Sequence, residues 1–214
     1  MSELFDQLEF VEDPLYERII NDLLEQQYSV IDNFFTDVEV VLLRNSLMAK
    51  YEEDRFKKAA IGNKFDEQII KSIRGDFVLW IDEQKANAAE TRFFHKINHM
   101  THYLNKTCFL GILHKEFHYA VYPEGTFYKR HLDTFQNDDR RKLSFVCYLN
   151  DEYWKNENGG ELVIYQEKNG VEAAKSLYPL PGRVVIFESQ LLEHEVKTVL
   201  AAERYSITGW LKTR

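Results

Sequence analysis

The stretch LSFVCYLNDEYWKNENGGELVIY, residues 143–165, decides the fold. Leu143 to Leu149 and Glu161 to Tyr165 are short runs rich in β-branched and aromatic residues. Between them, Asn156-Glu157-Asn158-Gly159-Gly160 is turn chemistry. Such runs suit a pleated, half-buried surface and are too short for a packed helix. The same grammar continues on both sides from about residue 108, where the apolar period is two. Further candidate strands are Lys115 to Tyr122, Thr126 to His131, Ser176 to Tyr178, Arg183 to Phe187, Glu195 to Val199 and Tyr205 to Leu211. Lys168-Asn169-Gly170 and Pro181-Gly182 supply more turns. Eight short strands in about 100 residues predict a β-sandwich or a closed barrel.

Upstream the period lengthens. Asp13-Pro14 is a helix start, with Leu15, Ile19, Leu23 and Leu24 as its stripe. Tyr28 to Ile31 reads as a short strand. Thr36-Asp37-Val38-Glu39 is a capping box ahead of Val40, Leu43, Leu47 and Tyr51. Asn87 with Glu90 caps a third helix that carries Phe93, Ile97, Met100 and Leu104. The expectation is one domain over residues 1–214. Helical support occupies mostly 13–107, against one outer face of a β core at about 108–214.

The 214 residues are 44% hydrophobic and 29% charged, with 15 Phe and 12 Tyr, which excludes disordered and low-complexity classes. A formal charge of -8 disfavours general nucleic-acid binding. Cys108 and Cys147 have no CxxC spacing, so neither a disulfide framework nor a Cys-rich zinc site is expected. No stretch approaches the roughly 20 apolar residues of a membrane span. MSELFDQLEF lacks the layout of a signal peptide, and the expected compartment is cytoplasmic.

His131-Leu132-Asp133 lies at a strand end, where residues i and i+2 share a face. An imidazole and a carboxylate are thus presented together, and His194 is a candidate third ligand from another strand. Two His and one carboxylate on one side of a metal leave three positions open, as in non-haem Fe(II) oxygenases. Arg204, Ser206 and Thr208 share one face of the last strand, a guanidinium with hydroxyls suited to a carboxylate. His95, His99 and His102 sit at helical spacing but on the side opposite the third helix's apolar stripe, so no metal role is expected for them.

The order Tyr-x-x-His-x-Asp, Tyr-Leu-Asn, Gly-Gly-Glu-Leu, His-Glu-Val and Arg-Tyr-Ser-Ile-Thr-x-Trp resembles the prolyl 4-hydroxylase-like Fe(II)/2-oxoglutarate oxygenases. Ile73-Arg74-Gly75-Asp76 followed by Trp80-Ile81 is similar to the branch of the hypoxia-inducible-factor prolyl hydroxylases and their bacterial relatives. The resemblance runs from about residue 28 to the C-terminus. It implies a double-stranded β-helix, or jelly-roll. It implies His131, Asp133 and His194 as iron ligands and Arg204 on the distal carboxylate of 2-oxoglutarate. Tyr148 and Thr208 are implied near that carboxylate, with Ser206 beside them, and Tyr122 near the iron-binding end of the co-substrate. Arg74, Asp76 and Arg141 are implied near the substrate entrance.

The implied reaction consumes Fe(II)-bound 2-oxoglutarate and O2, with ascorbate as a candidate accessory, and releases succinate and CO2. A prolyl residue of a cytoplasmic protein is the expected target, with proteins of the translation machinery among the candidates. Residues 56–75, which mix Lys57, Lys58, Lys64 and Lys71 with Ile61, Phe65, Ile69 and Ile70, are a candidate flap over a peptide. Hydroxylation of a small molecule or another residue type, and a sensor that binds without turnover, stay open.

Overall fold

A computed structural model describes residues 11–59, 73–134, 140–168 and 170–213. The three helices start where the capping residues place them. Helix α1 (Pro14–Gln26) is capped by the Asp13 carboxylate on the Leu15 N–H at 2.9 Å. Capping boxes open α2 (Asp37–Glu52), through Thr36 and Glu39, and α3 (Ala88–Cys108), through Asn87 and Glu90. His95, His99 and His102 are exposed on α3, and the His99 ring meets the Tyr16 hydroxyl at 3.0 Å.

Eleven strands are described: β1 (Tyr28–Ile31), β2 (Lys57–Lys58), β3 (Phe77–Trp80), β4 (His114–Tyr122), β5 (Tyr128–His131), β6 (Arg141–Tyr148), β7 (Leu162–Lys168), β8 (Val171–Leu177), β9 (Val184–Glu188), β10 (His194–Val196) and β11 (Arg204–Lys212). Strands β2 and β3 were not expected. Only four residues long and all short of full burial, β3 has no alternation to read, and it exists because β4 offers an edge for Phe77 to Trp80. The proposed flap of residues 56–75 falls largely on residues 60–72, outside the described residues. Its described flanks are Lys57–Lys58, paired with Phe77 and Val78, and Arg74, bridged to Tyr128.

Seven strands form one antiparallel sheet in the order β1-β9-β6-β11-β4-β3-β2, and four form a second in the order β5-β10-β7-β8. The large sheet has two different faces because side chains alternate along each strand. Phe117, Tyr119 and Val121 of β4, Leu143, Phe145 and Cys147 of β6, and Ile207 and Leu211 of β11 pack under the helices, against Ile19, Leu43, Leu47, Phe93, Ile97 and Met100. Gly209 of β11 lies beneath the Phe117 ring, where a Cβ would come 2.3 Å from Cδ1. The opposite face carries Ala120, Tyr122, Val146, Tyr148, Val185 and Phe187, and it meets Leu162, Ile164, Leu177 and Val196 of the small sheet. The result is a double-stranded β-helix with helices on one outer face, as the period change at about residue 108 implies. Between its sheets, the polar side chains gather.

Candidate metal centre and anion pocket

Strand β5 ends at His131 and β10 begins at His194, and the two are register partners across the small sheet. Asp133 follows two residues after His131. Ligand atoms of all three lie within 4.8 Å of one another. The Nε2 atoms of His131 and His194 stand 3.6 Å and 3.5 Å from the two Asp133 carboxylate oxygens. Each imidazole is oriented from behind: His131 Nδ1 is 2.7 Å from the Lys129 carbonyl, and His194 Nδ1 is 3.2 Å from the Leu192 carbonyl. A carbonyl only accepts, so Nδ1 carries the proton and Nε2 keeps its lone pair for a metal.

Asp133 is buried, and Ser144 Oγ donates to its Oδ2 at 2.6 Å, with Ser189 Oγ 2.8 Å behind. Burial alone would raise its carboxyl; the adjacent His194, His131 and Ser144 outweigh that and hold it well below the usual carboxylate range. Burial pushes the His194 imidazole down to about 4, although Asp133 opposes the shift. The cluster therefore offers two imidazole Nε2 atoms, that of His194 from a ring neutral at neutral pH, and one carboxylate. That N, N, O donor set, gathered on one side, fits Fe(II) with positions left for other ligands.

The anion pocket is built by the registers of β11. Arg204 pairs with Tyr122 of β4, and Ser206 pairs with Tyr148 of β6. The Arg204 guanidinium consequently sits between two tyrosine rings, 4.9 Å from each. It is 2% exposed, donates to Ser206 Oγ at 3.2 Å, and has no carboxylate within ion-pair distance among the described residues. Ser206 Oγ in turn is 3.4 Å from Thr208 Oγ1. Arg204 Nε and the Tyr148 hydroxyl are buried without a partner. An unpaired buried cation is costly, so this arrangement fits an anion such as the distal carboxylate of 2-oxoglutarate.

Arg74, with its partner Asp76, and Arg141 pack around the same cluster. Arg74 donates to both Asp76 oxygens, Nε at 2.7 Å and NH2 at 2.6 Å, and Asp76 is 1% exposed. Its guanidinium lies 4.2 Å from the Tyr128 ring, which stacks on His131 at 3.6 Å. Arg141 donates to the Asp133 main-chain carbonyl at 2.9 Å and lies 3.5 Å over the Trp210 ring. Arg74 and Arg141 thus pack behind His131 and Asp133, through Tyr128 and the Asp133 carbonyl. The Asp76 carboxylate is gripped at both oxygens by Arg74.

Several contributors escaped the sequence reading. Ser144 shares a strand face with Val146 and Tyr148, and the period of two was the signal that could have found it. His118 is buried beside Thr208 on β11 and Trp80 on β3, with its ring 4.9 Å from Trp80 and 5.6 Å from Trp210. Burial and the Arg74 guanidinium push it down to about 3, so it is neutral. Trp80 is 55% exposed and forms an aromatic lip beside it.

The 2OG-Fe(II) oxygenase superfamily model matches residues 117–212. The solved structure of a prolyl-4-hydroxylase from Pseudomonas putida is similar with TM-score 0.81 and 33% identity, covering 93% of this chain and 99% of that one. A prolyl hydroxylase from Trichoplax adhaerens, in complex with a hypoxia inducible factor peptide, is similar with TM-score 0.79 and 26% identity, covering 93% and 89%. A PKHD-type hydroxylase of Synechococcus sp. is 39% identical over 90 residues, which is 42% of this chain and 38% of that protein. The chain thus spans well under half the length of this curated relative. With the His–Asp–His cluster between two antiparallel sheets and a near full-length bacterial counterpart, the chain belongs to the 2OG-Fe(II) oxygenase superfamily, in its prolyl 4-hydroxylase-like branch.

Proposed function

We propose that the chain is an Fe(II)- and 2-oxoglutarate-dependent dioxygenase that hydroxylates a prolyl residue of a protein. The observation that carries this reading is that a two-His, one-carboxylate cluster and a buried arginine with no carboxylate partner among the described residues both face the space between the two sheets. His131 Nε2, His194 Nε2 and the Asp133 carboxylate would hold Fe(II). Arg204 would bind the distal carboxylate of 2-oxoglutarate, with hydroxyls from Tyr148, Ser206 and Thr208, and Tyr122 would pack along the co-substrate. When bound, iron, 2-oxoglutarate and O2 supply oxidative decarboxylation, which releases succinate and CO2 and oxidises a C–H bond.

The protein's own part is placement. The carbonyls of Lys129 and Leu192 set the ligand tautomers, and Ser144 fixes one Asp133 oxygen. The apolar walls of the interior exclude water, which strengthens the Arg204 attraction. Trp80, His118 and Trp210 pack together, with Arg141 between Trp210 and the Asp133 carbonyl, and a prolyl ring would meet this flat aromatic surface. The hypoxia-inducible-factor peptide held by the Trichoplax relative supports a protein substrate. A cytoplasmic partner, with translation proteins as candidates, is the finer form of the proposal; no described helix is long and apolar enough to cross a membrane.

The test is succinate release by the purified chain with Fe(II) and 2-oxoglutarate, with and without a prolyl-containing translation factor. Mass spectrometry would look for a one-oxygen gain on proline. Succinate release that depends on the protein substrate, with the oxygen on proline, is the expected result. An oxygen gain elsewhere would favour another residue type, and 2-oxoglutarate binding with no turnover on any substrate would favour a sensor.

A further inference from the structure

Three donors at the Arg204 end of the interior are buried without acceptors: Arg204 Nε, the Tyr148 hydroxyl and the indole N–H of Trp154. The first two belong to the carboxylate pocket described above. Trp154 does not come from a barrel strand; it stands on the connection between β6 and β7, fixed by a turn in which its main-chain N–H donates to the Asp151 carbonyl at 3.2 Å. A single glycine brings it to Arg204. Gly160 has φ +66°, and a Cβ there would lie 3.1 Å from Arg204 Cδ and 3.5 Å from Trp154 Cζ2. Cζ2 and Nε1 are bonded to the same indole carbon, so the N–H stands beside the ring edge that borders Gly160, the glycine that Arg204 also borders.

We propose that Trp154 is a further anchoring residue for the distal carboxylate of 2-oxoglutarate, donating its indole N–H to the anion held by Arg204. The inference rests on the reading of Arg204 as the co-substrate anchor. A carboxylate has about four lone-pair sites and can accept from a guanidinium, a phenol and an indole together. A buried indole N–H normally finds an acceptor, and leaving one unmet is unfavourable. The anion supplies what the protein's own groups do not. Glycine at position 160 is then part of the pocket: any side chain would separate the indole from the guanidinium.

The full chain loaded with Zn(II), which is diamagnetic and does not turn over, provides the test. 2-Oxoglutarate and 2-oxopentanoate share the chelating end, but only the first has a distal carboxylate. Calorimetric titration of Trp154→Phe should show 2-oxoglutarate weakened about 10-fold, the scale of one hydrogen bond to a charged group. Its 2-oxopentanoate and Zn(II) affinities should be unchanged. Equal weakening of both acids, or no weakening of either, would overturn the role of Trp154. If Arg204→Ala also left 2-oxoglutarate binding untouched, the pocket reading itself would fall with it. Should the Phe variant not fold, the native chain still decides. Of the three indole N–H signals in its nitrogen-15 spectrum, that of Trp154 should move downfield with 2-oxoglutarate and not with 2-oxopentanoate. The same response to both acids would refute the proposal.

Discussion

His131 and His194 face each other across the β5–β10 pairing with ring centroids 4.3 Å apart, and each turns its Nδ1 back to the carbonyl two residues before it. The same local device, used on two antiparallel strands, aims both Nε2 atoms toward Asp133. The ligand cluster is thus oriented by backbone.

Replacing a ligand should therefore remove metal and turnover but not the fold. His131→Ala, His194→Ala and Asp133→Ala should each lose more than the ~10–100-fold in metal affinity typical of supporting residues, with circular dichroism unchanged. Near-native succinate formation by Asp133→Ala would contradict the iron assignment.

Ser144→Ala tests the support behind Asp133. Its hydroxyl donates at 2.6 Å to Oδ2, so its loss should reduce Fe(II) affinity by about 10–100-fold while 2-oxoglutarate affinity of the metal-saturated protein changes little. Unchanged metal affinity would mean that Ser189 or the backbone positions the carboxylate alone.

Arg204→Ala should weaken 2-oxoglutarate far more than iron. Losing one partner of a desolvated charge pair costs about 3–5 kcal/mol, or more than 100-fold. Titration with an unaltered 2-oxoglutarate affinity would assign the anchor to another cation.

Acid should destabilise the metal-free protein earlier than its carboxylates alone predict. His118 and His194 are pushed down to about 3 and about 4. From those values up to about 6.5 the unfolded chain binds protons that the folded chain does not, so stability rises with pH. As pH falls from about 6.5 toward 4, it is lost, at about 2 kcal/mol for one such histidine at pH 5. Asp133, held low, adds a further loss only below about pH 4. Urea midpoints at pH 7 and pH 5 should differ less for His118→Phe than for the native chain. An identical difference would show that His118 accepts a proton without unfolding.

Arg74 and Asp76 form a buried bidentate pair, so they should matter to stability before they matter to substrate. Arg74→Ala leaves Asp76 buried and unpaired and should cost about 3–5 kcal/mol in urea unfolding, with the double variant less damaging than the sum. Loss of coupled hydroxylation with native stability would restore a purely substrate-facing role.

Much of this protein was legible in order along the chain. The caps at Asp13, Thr36 and Asn87, the change of period near residue 108, and the turns at Asn156–Gly160 and Pro181-Gly182 are local properties, set by neighbouring side chains and backbone preference. His131 and Asp133 were legible for the same reason, since a strand end puts i and i+2 on one face. Arg204, Ser206 and Thr208 followed from the same period, and the structure finds them on the interior face.

What local pattern cannot carry is register and proximity between distant segments. That His194 stands opposite His131, that Tyr122 and Tyr148 flank Arg204, and that Ser144 rather than a neighbour in sequence holds Asp133 are consequences of how strands align. Strand β3 exists because an edge of β4 is there to pair with it, not because Phe77 to Trp80 alternates. Asp76 goes to Arg74 because the turn before β3 brings both groups into one buried space, where a charge must find the nearest opposite charge. The donors and ligands were therefore set by residue type and period. Their partners were decided by the tertiary structure, because burial makes every unpaired polar group costly and only the packed fold determines which pairs can form.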